Sequence, residues 1–175
     1  MSVLTTIFFI FLLYIILCII SPQKRKIISS AFVKTRPDSL AAFIANLENQ
    51  AIWNPWIISE EHPKIYEGGE PGLPGSYCEW KSKDDKLLGR ISNIKIEDHL
   101  IIQRLELAMN MVKVIVLEHQ LHPHGDGRTT HWDWIYEEKL PFFKRPVFLI
   151  KDLVTTQNQK LKDGMRHARE ALERQ

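Results

Sequence analysis

From Val3 to Ile20 the chain is apolar almost without interruption, with Thr5 and Thr6 as mild exceptions and no charged side chain before Lys24. About 18 residues at 1.5 Å each reach roughly 27 Å, close to the thickness of a bilayer's hydrocarbon core. The segment therefore predicts a transmembrane anchor over residues 3–20, ended by Ser21 and Pro22. A cleaved signal peptide fits less well. No basic region precedes Val3, no small-residue cleavage pattern follows, and Leu17 is too bulky for the position before a lipoprotein cysteine at Cys18. Lys24, Arg25 and Lys26 follow the apolar stretch, so residues 21–26 read as a basic juxtamembrane flank. The positive-inside rule then predicts a single-pass membrane protein whose domain faces the cytoplasm.

Beyond the flank, periodicity changes. Ile27 to Val33 reads as a strand, and Arg36-Pro37-Asp38-Ser39 carries helix-start chemistry. Leu40, Phe43, Ile44 and Leu47 recur at helical spacing, and Gln50 to Trp56 forms a second short helical piece around Pro55. The Gly- and Pro-rich stretch from Glu67 to Gly75 predicts a loop. Strand-like runs follow at 76–81, 89–97, 100–109, 112–122 and 129–137, separated by turn signals such as Lys83-Asp84-Asp85-Lys86 and His124-Gly125-Asp126-Gly127. Such short connections predict an antiparallel meander. A last helix carries Leu149, Ile150, Leu153, Val154, Gln157, Leu161, Met165, Ala168 and Leu172 on one stripe. Gly164 interrupts that helix at a cost in propensity, which predicts close packing against the sheet. The order is α+β, with helices on one side of an antiparallel sheet and residues 27–175 as one domain.

Composition adds little to this picture. Setting aside Lys24, Arg25 and Lys26, 20 basic residues face 21 acidic ones, so the body has no electrostatic footprint for nucleic acid. The two cysteines, Cys18 and Cys78, fall in the apolar segment and the body, and predict no internal disulfide. Cys78 lacks a nearby His or helix N-terminus to activate it. His122-Pro123-His124-Gly125-Asp126 sits at a predicted hairpin tip with no completing ligands, so no metal is expected. Gly68, Gly69, Gly72 and Gly75 lack the Gly-Lys-Ser/Thr ending of a phosphate loop. No cofactor is expected.

Three segments carry a family resemblance: Asn46-Leu47-Glu48-Asn49-Gln50-Ala51-Ile52-Trp53-Asn54-Pro55-Trp56, Gly127-Arg128-Thr129-Thr130-His131-Trp132, and Leu161-Lys162-Asp163-Gly164-Met165. Together with the element order, residues 26–173 resemble the helix-grip fold of the START/Bet v 1-like (SRPBCC) superfamily, and within it the polyketide cyclase/dehydrase-type branch. The resemblance implies a sheet curled around the long C-terminal helix, with an apolar cavity between them for a lipid, polyketide or other hydrophobic small molecule.

Trp53 and Trp56 stand either at the mouth of such a cavity or in the packing of the short helix. His119 alternates with Ile115, Leu117 and Leu121, and Gln103 with Ile101, Leu105 and Leu107, so both polar side chains are expected to point inward. In the last strand Thr130, Trp132, Trp134 and Tyr136 share one face and His131, Asp133 and Ile135 the other. A one-residue shift of register exchanges them, which leaves open the side that faces the cavity. Phe142 and Phe143, beside Lys144 and Arg145, suit a loop that touches a membrane, closes over a ligand or staples the helix entry. The expected cavity lining is Trp53, Trp56, Gln103, Leu105, Leu107, His119, Trp132, Phe142, Phe143 and Leu153.

The leading expectation is a membrane-anchored binding module for a hydrophobic small molecule or lipid, with the bilayer itself as a partner. A cyclase- or dehydratase-like enzyme using His119, His131, Asp133 and Tyr136 is the alternative. A third reading is an interaction domain whose cavity is vestigial.

Overall fold

A computed structural model describes residues 3–108, 112–150 and 153–174, with no account of the side chains at 148–150, 153 and 154. The predicted strand end at Met109 and the helix side chains of Leu149, Ile150, Leu153 and Val154 fall outside what it describes.

Helix α1 (Val3–Ile20) has a mean hydropathy of 3.0 and stands clear of the rest of the chain along most of its length, with Cys18 its buried side chain. It is the one helix among the described residues long and apolar enough to cross a membrane. Strand β1 begins at Lys24 and runs to Val33, three residues earlier than the pattern predicts. The three basic residues of the flank therefore belong to the sheet, paired with β7 (Thr129–Lys139): Lys24 with Lys139, Arg25 with Glu138, Lys26 with Glu137.

Helix α2 (Pro37–Ala45) opens on the proline and buries Leu40, Phe43 and Ile44. The short helices α3 (Gln50–Trp53) and α4 (Pro55–Ile58) follow, with the Asn54 side chain accepting the Trp56 N–H at 2.9 Å to start α4. Strands β2 (Lys64–Gly68), β3 (Tyr77–Lys81), β4 (Leu87–Glu97), β5 (Leu100–Ala108) and β6 (Val112–His124) complete a seven-stranded antiparallel sheet in the order β1-β7-β6-β5-β4-β3-β2. First and last strands thus lie side by side. Strand β2 is absent from the sequence pattern, since it is short and turns a single side chain, Ile65, toward the core.

After β7 come a helical turn at Phe142–Lys144, helix α5 (Arg145–Ile150) and the long helix α6 (Leu153–Glu173). Helix α6 lies against β1, α3 and α4 and buries Leu161, Met165 and Ala168. The α+β helix-grip architecture is the observed one. Gly164 allows a close approach: a Cβ there would lie 2.7 Å from the Trp134 ring and 2.9 Å from Pro55 Cδ. Alanine normally gains about 1 kcal/mol over glycine inside a helix. Against a ring that is fully buried, overpacking of up to about 3 kcal/mol outweighs that gain. Gly164→Ala is therefore expected to lower stability by about 2 kcal/mol in chemical denaturation of the full chain in detergent, and a stabilised variant would show that α6 can shift freely.

Candidate functional site

Alternation sorts the sheet into an inner face covered by the helices and an outer face. The inner face carries Ile101, Gln103 and Leu105 from β5, Ile115, Leu117, His119 and Leu121 from β6, and Trp132, Trp134 and Tyr136 from β7, each with no exposed surface. Register decides the ambiguity in the last strand: Trp134 sits opposite Ser29 and His119, and Tyr136 opposite Ile27 and Leu117, all inward. His131 and Asp133 consequently face outward. His131 packs on Phe32, and Asp133 accepts a hydrogen bond from the Ser30 hydroxyl.

Aromatic side chains fill the space between α3, α4 and β7. Trp53 meets Trp132 at 5.8 Å and Trp134 at 5.2 Å, both edge to face, and Trp56 meets Trp134 at 5.9 Å. Trp132 and Trp134 stack at 5.7 Å. A void able to admit water beside these rings would leave part of their surface accessible, and Trp53, Trp132, Trp134 and His119 have none. Trp53 and Trp56 are packing residues that bring α3 and α4 onto the sheet, a geometry that favours aromatic pairs.

Within this apolar mass runs one directed chain of hydrogen bonds. Trp132 Nε1–H donates to His119 Nδ1 at 3.2 Å, so the proton of the neutral ring is on Nε2, which faces Gln103 Oε1 at 3.2 Å. Gln103 Nε2 donates to Asn93 Oδ1 at 2.9 Å and to the Ile44 carbonyl at 3.3 Å. Asn93 Nδ2 donates to the Ala45 carbonyl at 2.8 Å and to Ser76 Oγ at 2.9 Å. The two carbonyls are orphan acceptors at the C-terminus of α2, which need partners when buried. Gln103 and His119, the polar residues expected to meet a ligand, here pin α2 to the sheet. Burial pushes the His119 imidazole down to about 3 and the Cys78 thiol up to about 12, which leaves neither poised for chemistry near neutrality.

A different group occupies the end of the inner face where α1 enters. The Arg25 guanidinium is in contact with the Glu138 carboxylate, both nearly buried, and Lys113 reaches Glu138 at 2.5 Å. The Tyr136 hydroxyl donates to Glu138 at 2.6 Å. Burial, then the Glu138 contact, pushes that phenol far above its ordinary value. Arg25 and Lys113 also lie 5.8 and 5.6 Å from the Tyr136 ring centre. The sequence pattern hides this cluster because Arg25 belongs visually to the basic flank; only the β1–β7 pairing brings it to Glu138. Leu107 is half-buried at the same end. Of the candidates, Phe142 and Phe143 lie away from the interior and are exposed.

Phe142 and Phe143 stand instead beside α1. The Tyr14 hydroxyl donates to the Phe143 carbonyl, α1 touches both the Phe142–Lys144 turn and α5, and Leu140 N–H donates to the Gln23 carbonyl at 2.9 Å. No set of His, Cys, Asp and Glu side chains fit to hold a metal occurs among the described residues.

No protein-family model and no curated protein sequence matches the chain. Solved structures do share its fold. A protein of Mesorhizobium loti superposes with a TM-score of 0.60 at 12% identity, over 86% of this chain and 98% of its own. A Staphylococcus aureus protein gives 0.57 at 12% identity, over 90% and 99%. The di-domain ARO/CYC StfQ from the steffimycin biosynthetic pathway gives 0.57 at 10% identity, over 87% of this chain and 52% of StfQ.

Proposed function

We propose that this protein is a membrane-tethered binding module that takes up a hydrophobic or amphiphilic small molecule from the bilayer holding it. The observation that carries this reading is the contact between α1 and the loop after β7. Tyr14 lies about 9 Å back along the helix from its exit at Ile20, so the Phe143 segment bonded to it stands at the depth of the head groups or below. Phe142, Phe143 and Val147 are exposed there, with Lys144 and Arg145 beside them, the composition of an interfacial contact. Only Ser21, Pro22 and Gln23 separate α1 from β1. Helix and loop together hold the domain flat against the membrane. The positive-inside rule makes the cytoplasm the proposed side, with Lys24, Lys26, Lys139 and Lys144 all at this end of the sheet.

The shared architecture with StfQ supports a ligand-handling domain, and the geometry favours binding over ring closure. Catalysis of that type needs an acid–base pair within hydrogen-bond reach of a substrate. His119 is sealed between Trp132 and Gln103, and His131 and Asp133 lie on the opposite face of the sheet from Tyr136. The test is extraction of the full chain, purified in mild detergent, and mass spectrometry of what stays bound. One lipid or apolar metabolite enriched to stoichiometric amount over its share of the source membrane is expected. Lipids retained only in membrane proportion would overturn the reading.

A further inference from the structure

An open groove of about 940 Å³ lies on the outer face of the sheet. That size lies in the range of small-molecule sites. Its floor is Ile94, Ile102, Val112, Val114 and Val116, branched apolar side chains drawn from three adjacent strands. Ile94, Val112, Val114 and Val116 are each at least 42% exposed, too large a set to leave to solvent without a purpose. One wall is Leu140 and Pro141, at the start of the same loop that touches α1.

The charge around the groove is unequal in availability. Its two carboxylates are spent, Glu137 on Lys24 at 2.7 Å and Glu138 on Arg25 and Lys113. Arg104 at the far rim is paired with Glu106 at 2.6 Å. Among the described residues no hydrogen bond or ion pair engages the side chains of Lys139 and Lys144, which stand where the groove meets the membrane end. The groove therefore offers an apolar trough with two available cations at its bilayer side. Ile102 lies about 20 Å up β5 from Ala108 at that end, beyond the reach of the bilayer's own hydrocarbon.

We propose that the outer groove holds the acyl chain of an anionic membrane lipid, drawn partly out of the adjoining leaflet, with its head group on Lys139 and Lys144. This rests on the reading of the chain as a lipid-handling module and moves its site from the inner to the outer face of the sheet. The occupant is committed by continuity with the loop at α1 and by the charge; a second copy of the chain would meet the same cations with its own.

The full chain, reconstituted in phosphatidylcholine vesicles with a minor share of phosphatidylglycerol carrying a diazirine on its acyl chain, tests this. After photolysis, peptides spanning Ile94–Arg104 and Val112–Val116 are expected to carry the label, and the equivalent phosphatidylcholine probe to label them less. Lys139→Glu and Lys144→Glu should each reduce that labelling about five-fold, whereas the arginine replacements preserve it. Val116→Asp, at a half-open position that the fold does not need, should abolish labelling of the floor. Labelling confined to residues 141–147, equal labelling by both probes, labelling by a free diazirine fatty acid but not by the phospholipid, or chain-to-chain crosslinks through the groove would each overturn the proposal. If a lipid is enriched on the purified chain yet the label, located residue by residue, falls only on inward side chains such as Ile101, Ile115 and Leu117, the module stands and the groove falls. If nothing is enriched, both fall.

Discussion

Glu138→Ala is expected to destabilise the domain by about 3–5 kcal/mol, the usual cost of stripping one partner from a buried ion pair. The Glu138 side chain is 2% exposed and that of Arg25 9%, so the guanidinium left behind has little access to water. Lys113, about one-third exposed, can turn outward and loses less. The Tyr136 hydroxyl also loses its acceptor, and a buried donor without a partner adds to the loss. Exchanging the pair together, Arg25→Met with Glu138→Leu, is expected to recover most of the stability, since apolar replacement of a buried pair removes the desolvation cost along with the attraction. All five tryptophans lie in the domain and are buried. Fluorescence during chemical denaturation of the full chain in detergent therefore reads the effect directly. A loss below about 1 kcal/mol for the single variant would show that the cluster is solvated.

His119 is expected to make the domain sensitive to acid. Its imidazole, ordinarily near 6.5, is pushed down to about 3 by burial in the fold. Below 6.5 the unfolded chain binds a proton there that the folded chain refuses, so the unfolded state gains. The stability this histidine contributes is complete above about pH 6.5 and is lost as pH falls toward 3. At 1.36 kcal/mol per pH unit the loss is about 2 kcal/mol at pH 5. The neighbours that face the ring are Gln103, Trp53, Trp132 and Trp134, none of which titrates in this range. Stability should thus fall by about 2 kcal/mol less between pH 7 and 5 in His119→Gln than in the unaltered chain. Equal pH slopes would mean that the ring is protonated while folded.

Much of the architecture was legible along the chain, because strands and helices announce themselves by period. Ile101, Gln103, Leu105 and Leu107 alternate as an inner face should, and Gly164 marks a close helix–sheet contact. Period says which residues share a face but not which face is inward. For β7 that was settled by two neighbouring strands, one of them over 100 residues away in sequence. The meeting of the tryptophan rings was not legible for a related reason. Trp53 and Trp132 each look like a cavity residue singly, and only their meeting across the fold closes the space. The groove, the α1–loop contact and the Arg25–Glu138 cluster all depend on such distant pairings. Polar residues at the start of β1 hid the fact that Lys24, Arg25 and Lys26 are also its first three strand positions.

The pairing of β1 with β7 also imposes an order of events during synthesis. Strand β1 leaves the ribosome just behind α1, and its partner follows only after most of the chain has been made. At about 5–20 residues per second that interval is on the order of ten seconds. Throughout it Ile27, Ile28, Phe32 and Val33 have no sheet to join. Strands β2 to β6 can zip up by local hairpins in the meantime, leaving the slowest closure to the end. With α1 inserted as proposed, the nascent chain keeps that waiting strand beside one patch of membrane, where a neighbouring polypeptide is less able to claim it.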